Sequence, residues 1–233
     1  DYLLAAGISP GMFTVVTAAN QYKLLDHFDF YVGKGIKKFN FSPILHSGKA
    51  ADKKYDVNIN HLIETNLKLM EKINLINNEC NNIEDYISEV NISNLLNNLS
   101  SLNIYNLCTL APCGAGHTML GFDIDGSFYS CDYFIGNLEF KIGNIYEVDD
   151  IKNSIFRNPS VQNLLKRNID SIKECRMCTW KNVCTYHCAS DSYFNHKTLY
   201  KPHSMCEYVK KIIPRIIDLL YRKKISINNI PPC

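Results

Sequence analysis

The chain has 233 residues, 46% of them hydrophobic, and 25 Lys and Arg against 23 Asp and Glu, for a formal net charge of +2. So balanced a charge supplies no long-range field to recruit nucleic acid or an anionic membrane, and no apolar run approaches the roughly 18 residues that span a bilayer. A soluble protein with room for two modest cores is expected, since domains run about 100–150 residues.

Residues 12–17 read MFTVVT, a continuous β-branched and aromatic run without polar alternation, the pattern of a strand buried on both faces of a parallel sheet. A helix is expected next, with Asn20 as its cap, Leu24, Leu25 and Phe28 at helical spacing, and Gly33 and Gly35 as its left-handed stop. Residues 36–41 (IKKFNF) read as a second strand, so residues 12–41 form a βαβ unit with a right-handed crossover. Residues 60–76 carry Leu62, Ile63, Leu67, Met70 and Ile73 as a helical stripe. From 77 to 103 the composition shifts to Asn, Ser, Leu and Ile, with a weak helical pattern over 83–99, and reads as a connecting region.

Farther on, GFDIDGSFYSC places Asp125 and Gly126 between two short apolar-rich runs, a strong hairpin signal, with Cys131 ending the second strand. Residues 150–165 read as short helices interrupted by Pro159. A final helix over 206–221 turns Val209, Ile212, Ile213, Ile216, Leu219 and Leu220 inward, and Pro214 is expected to kink or restart it. Lys201, Lys210, Lys211, Arg215, Arg222, Lys223 and Lys224 read as solvated charge.

The cysteines carry most of the functional information. Eight of ten lie between positions 108 and 206: Cys108, Cys113, Cys131, Cys175, Cys178, Cys184, Cys188 and Cys206. Two sets of four thiolates suit two tetrahedral zinc ions or two cubane iron-sulfur clusters, each needing four soft anionic ligands. Disulfides fit less well, because ten cysteines in 233 residues fall below the roughly 8–10% of a disulfide scaffold. The N-terminal residues also lack the order of a secretory signal, so a reducing, cytoplasmic setting is expected. Cys80 and Cys233 remain unassigned.

Written as spacing, the region is Cys113-x12-Gly126-x4-Cys131, a gap, Cys175-x2-Cys178-x5-Cys184-x3-Cys188, then x17 to Cys206. This string resembles the SPASM domain of radical S-adenosylmethionine enzymes, with seven cysteines and the glycine in register and Cys108 available as an eighth ligand. The resemblance implies an α/β fold in which residues 1–107 are the C-terminal part of a partial (β/α)6 barrel. Residues 108–233 would be a small α+β SPASM domain with a β-hairpin and two auxiliary 4Fe-4S clusters. It also implies interleaved ligands: Cys108, Cys113, Cys131 and Cys188 for one cluster, and Cys175, Cys178, Cys184 and Cys206 for the other. Spacing alone would group Cys175, Cys178, Cys184 and Cys188.

The CxxxCxxC loop that radical S-adenosylmethionine chemistry needs does not occur in these 233 residues. The chain is therefore expected to be the C-terminal portion of a longer maturase, which uses S-adenosylmethionine and a third 4Fe-4S cluster to oxidise or cross-link Cys, Ser or similar side chains of a peptide or protein. An electron donor such as flavodoxin or ferredoxin is implied as partner. Asp132 matches an aspartate that looks like the proton-accepting base in the anaerobic sulfatase-maturating members, and a carboxylate beside an anionic cluster holds a proton more tightly than in water; a plain surface Asp is the alternative. Thr185, Tyr186 and His187 stand where those members carry Arg-Gly-Gly, and the segment after Cys188 is more similar to relatives that build thioether links. His187 and His196 are open between ligand, substrate contact and structural hydrogen bonding. At the carboxyl ends of the two barrel strands, Thr17, Ala19, Asn20, Ser42, Pro43 and His46 are candidates to line the S-adenosylmethionine or substrate site, Thr17, Asn20, Ser42 and His46 foremost. The rival reading is a non-catalytic four-cysteine zinc module serving protein interaction.

Overall fold

The computed structural model describes residues 2–47, 50, 53–100, 108 and 111–230. Cys233 and the junction around 101–107 lie outside the described residues. The chain divides into two units. One holds the described residues within Asp1–Tyr105, Asn182–Cys184 and Met205–Cys233, the other those within Asn106–Lys181 and Thr185–Ser204. The final helix, expected with the cysteine-rich half, thus belongs to the first unit.

In that first unit a short helix α1 (Tyr2–Ala5) precedes β1 (Gly11–Val16), α2 (Leu24–Gly33) and β2 (Lys38–Pro43), with β1 and β2 parallel from Gly11 opposite Lys38 to Val16 opposite Pro43. The expected βαβ unit is present, but β1 is not buried on both faces. It is an edge strand of the order β1-β2-β3. Val16 is buried and Thr14 bonds the Tyr31 hydroxyl of α2 at 2.7 Å, while Phe13 and Val15 on the opposite face are 62% and 46% exposed. Apolar continuity cannot distinguish a strand covered twice from one covered once. The stop of α2 is also narrower than expected: Gly33 is its last residue, and only Gly35 takes a positive φ, of 75°.

Helix α3 (Ile59–Asn78) begins where the Asn58 side chain accepts the His61 N–H, and it buries Leu62, Ile63, Leu67, Met70 and Ile73 as its stripe requires. The region read as a connection contains a third parallel strand, β3 (Ser88–Glu89), and helix α4 (Val90–Ser100). Buried Asn77 at the end of α3 explains how so short a strand is held. Its amide nitrogen donates to Ile87 O and its amide oxygen accepts from Ile87 N, both at 2.8 Å, so a side chain supplies the pairing that a neighbouring strand would otherwise give.

The final helix (Cys206–Tyr221) runs without interruption through exposed Pro214 and buries Tyr208, Val209, Ile212, Ile213 and Ile216. It packs on α3, where Asn66 donates to the Tyr208 hydroxyl at 2.6 Å, Lys211 reaches Asn60 and Arg215 forks onto Glu64. Its apolar stripe needs the complementary stripe of α3, which is why it joins the first unit. The basic residues singled out above are exposed, as expected.

In the second unit β4 (Gly121–Phe122), β5 (Ser127–Tyr129) and β6 (Lys141–Asn144) form an antiparallel sheet. The hairpin is present, with a third strand the sequence had not announced. Residues 123–126 form its loop, closed by Asp123 N to Ser127 O at 2.8 Å, and Gly126 ends it at φ 82°. A Cβ there would stand 2.6 Å from the Tyr146 ring, so both backbone and space demand the motif's glycine. Two short helices follow, α5 (Ile151–Arg157) and α6 (Pro159–Lys166), separated where Asn158 caps the second. After them come α7 (Lys173–Arg176) and α8 (Ala189–His196). A small core of Tyr129, Phe134, Phe140, Leu164, Ala189 and Leu199 backs the sheet, with Phe134 and Phe140 stacked at 3.7 Å.

Candidate metal centre

Four cysteines from three separate stretches of the second unit line one pocket: Cys108 and Cys113, Cys131, and Cys188. Gly114, Ala115, Met119, Asp132, Tyr133, Phe134, Ala189 and Ser190 complete its wall. Local structure explains the convergence. The loop after Cys113 is pinned by Gly116 N, which donates to Ser130 O at 2.6 Å beside Cys131. Gly116, at φ 79°, lies so close to Val161 of α6 that a Cβ would meet its methyl carbons at 2.9 Å.

The two most enclosed sulfurs sit at the starts of helical turns. Cys131 precedes the turn Asp132–Phe134, and the backbone amides of Tyr133 and Phe134 work against burial to lower its thiol's proton affinity. Cys188 precedes α8, with the Ser190 hydroxyl 3.0 Å from its sulfur, and that hydroxyl and the Asp191 amide work against burial to lower its proton affinity. Amides at a helical N-terminus favour sulfur in its anionic, ligating form. Burial acts in the opposite direction. It pushes the thiols of Cys131 and Cys188 well above the usual cysteine range, and Cys108, its thiol over the pocket, is pushed up to about 11 by desolvation and then by Cys188, Cys113 and Asp132. Thiols whose proton affinity is raised, as at Cys108, Cys131 and Cys188, are ones that a cationic core would deprotonate on binding.

Among the described residues no three His, Cys, Asp or Glu side chains converge on a point that a single metal ion could occupy. A lone zinc draws its sulfurs to about 2.3 Å from one centre. A cubane instead binds each thiolate at a different iron and leaves the sulfurs spread around it. Four cysteines around one pocket, the innermost two at the starts of helical turns, fit such a cluster. The described cysteines are not joined in disulfides.

The remaining candidates fall elsewhere. Cys175 and Cys178 flank the end of α7 in the second unit, with Cys178 N donating to Cys175 O at 3.0 Å, whereas Cys184 and Cys206 belong to the first unit. Asp132 is exposed on the pocket wall. His187 is buried next to Cys188, and its carbonyl accepts from Arg167; His196 is exposed at the end of α8. In the first unit, Thr17, Asn20, Ser42 and His46 lie at or just beyond the carboxyl ends of β1 and β2. Asn20 does not cap α2 through its side chain. Its oxygen accepts from Thr17 N at 2.8 Å and its nitrogen donates to Val15 O at 2.9 Å, so the amide closes the turn after β1. His46 pairs with Asp56 through Nε2. Cys80 lies within reach of Ile76 O at 3.5 Å, at the end of α3.

Two buried polar residues beside the pocket carried no signal in the sequence. Asp191 of α8 accepts from Ser204 N at 2.7 Å, from the Ser204 hydroxyl at 2.8 Å and from Asn195, and lies 3.3 Å from His203. Burial holds His203 below the ordinary histidine range despite that carboxylate. Arg167 is the other; within RNID it reads as a surface residue, and only the fold encloses it.

Residues 113–179 match the family model of SPASM, described as an iron-sulfur cluster-binding domain. An uncharacterized protein of Archaeoglobus fulgidus is 31% identical over 115 residues, 49% of this chain and 27% of that protein. A solved structure of tagged anSMEcpe with bound AdoMet superposes with a TM-score of 0.74 at 16% identity, covering 98% of this chain and 57% of that one. Native anSMEcpe with bound AdoMet and the Kp18Cys peptide gives 0.71 at 16% identity, over 98% and 60%. SuiB of Streptococcus suis bound to S-adenosylmethionine gives 0.58 at 16%, over 88% and 47%. The chain thus spans about a quarter of the curated relative and about half of the solved ones. Residues 113–179 thus match the SPASM iron-sulfur cluster-binding domain, and over nearly its whole length the chain shares the fold of the anSMEcpe structures.

Proposed function

We propose that the chain is the C-terminal portion of a radical SAM/SPASM maturase that oxidises or cross-links a side chain of a peptide or protein, with Cys108, Cys113, Cys131 and Cys188 holding one auxiliary 4Fe-4S cluster. One observation carries this reading: four cysteines from three stretches of the chain line a single pocket, and the two innermost stand at the starts of helical turns. Cys175, Cys178, Cys184 and Cys206 hold the second cluster in this reading. When bound, such a fully ligated cluster supplies one-electron exchange.

The chain's own residues have separable tasks. The four thiolates fix the centre, while the stacked Phe134 and Phe140 behind it exclude water. Asp132, exposed on the pocket wall, takes the proton from the substrate Cys or Ser at a carboxylate oxygen. Thr17, Asn20, Ser42 and His46 form part of the S-adenosylmethionine or substrate rim. Solved anSMEcpe with a bound peptide supports a peptide as the substrate class. A flavodoxin or ferredoxin delivers the electrons.

The test is ligand-specific iron loss. In anaerobically prepared protein, Cys131→Ser and Cys188→Ser each lower the iron content by about four atoms, one cubane. Loss of a single metal atom instead, or of none, contradicts the assignment. Asp132→Asn, tested in the full-length enzyme, keeps its iron and loses turnover.

A further inference from the structure

Arg167, the residue that closes α6, is 1% exposed. Its Nε donates to Leu199 O at 2.7 Å, Nη1 to His187 O at 2.7 Å and Nη2 to the Ser192 hydroxyl at 3.1 Å. All three acceptors are neutral. Among the described residues no carboxylate lies within ion-pair distance of the guanidinium, and buried Asp191 is engaged by Ser204, Asn195 and His203. A cation so enclosed is costly unless anionic charge stands nearby. Burial lowers the proton affinity of the guanidinium, and the groups that oppose this most are thiols: Cys113 and Cys188 of the pocket, then Cys175 of the other candidate set. A structural clamp onto two carbonyls and a hydroxyl does not require a permanent charge; a clamp tied to the residue next to the ligand Cys188 has a use for one.

We propose that Arg167 is the buried counter-charge of the auxiliary centre, positioned by its three neutral acceptors so that it raises the reduction potential of the cluster held by Cys108, Cys113, Cys131 and Cys188. This rests on the cluster reading above. A 4Fe-4S core of charge 2+ with four thiolates carries a net charge of 2−. Taking one electron from an external reductant makes it 3−, and a fixed positive charge nearby favours that more negative state. The bond to His187 O also ties the charge to the residue next to the ligand Cys188. Arg167 touches no substrate and acts through the cluster as a positioning residue.

The experiment uses the full chain, reconstituted anaerobically with iron and sulfide and titrated with dithionite while the reduced cluster is followed by electron paramagnetic resonance. In Arg167→Gln the ratio of reduced to oxidised cluster at a fixed potential falls tenfold or more, a shift of about 59 mV per factor of ten for a one-electron couple. Arg167→Lys, which keeps the charge, returns the ratio to within about threefold of the parent. The proposal is overturned if both variants load iron and titrate like the parent, if the lysine variant shifts as far as the glutamine variant, or if neither folds, which would make Arg167 a structural clamp. A parent chain that takes up no iron refutes the cluster reading itself, and the iron analysis separates that failure from a failure of the charge argument.

Discussion

The two units are stabilised by different means. The first buries aromatic and aliphatic side chains in quantity: Phe28 meets Phe39 edge-on at 5.6 Å, Tyr31 and Phe41 stack beside them, and the stripes of α3 and the final helix face one another. The second has strands of two to four residues, a small core, and buried polar residues at its centre in Arg167 and Asp191. A sheet of that size with so small a core has use for a further source of stability, and in the proposed reading a bound cluster would supply it by mass action. The lesson is that a fold can divide its labour, with one unit standing on burial and the other on chemistry.

Removing iron breaks the comparison most completely. Anaerobic chelation is expected to unfold residues 108–206 while the amides of α3 stay protected, as read by hydrogen exchange and near-UV circular dichroism. Equal protection of both units after chelation would show that the second also stands on burial alone. Next in size is a deletion in the first unit. Phe28→Ala removes a fully buried ring and should cost about 3–5 kcal/mol in denaturant titration, with iron content retained.

A pH effect sharpens the contrast, because the group behind it, Glu89, lies in the first unit. Glu89 caps α4 by accepting from Ile92 N at 2.8 Å and also accepts from Phe41 N at 2.8 Å, and burial raises its carboxyl to about 7. A group whose folded pKa is raised stabilises fully below its unfolded value, near 4.5, and loses that contribution as the pH climbs through about 7. The stability of the first unit should therefore fall between pH 5 and pH 8, by up to about 3 kcal/mol, and Glu89→Gln should flatten the profile. An unchanged slope in the variant would assign the effect elsewhere. The smallest effect is expected at the motif's glycine. Gly126→Ala, at φ 82° and against Tyr146, should cost about 1–2 kcal/mol, partly recovered by Tyr146→Ala, as followed by the melting temperature of the second unit.

Much of this division could be read from residue order, and the exceptions have physical causes. The β1-α2-β2 unit announced itself through MFTVVT and the glycine at 35, and α3 and the final helix through their stripes. Strand β3 stayed hidden because Asn77, a side chain in an Asn-rich stretch, performs the pairing that an apolar strand pattern would signal. Spacing gathered the cysteines into the right region but favoured Cys175 and Cys178 as companions of Cys188. The pocket joins Cys188 to Cys108, Cys113 and Cys131 instead, because α8 and the hairpin meet in space although 57 residues separate Cys131 from Cys188. Arg167 and Asp191 were illegible for a further reason. Charged residues are ordinarily solvated, and only the closure of loops over them reveals otherwise.

The account rests on the kind of inorganic core the thiols hold, and elemental analysis of anaerobically produced chain tests that most directly. About eight iron and eight sulfide per chain, with a brown absorbance near 400 nm, is the predicted result. About two zinc atoms with no sulfide, in colourless protein, would contradict it.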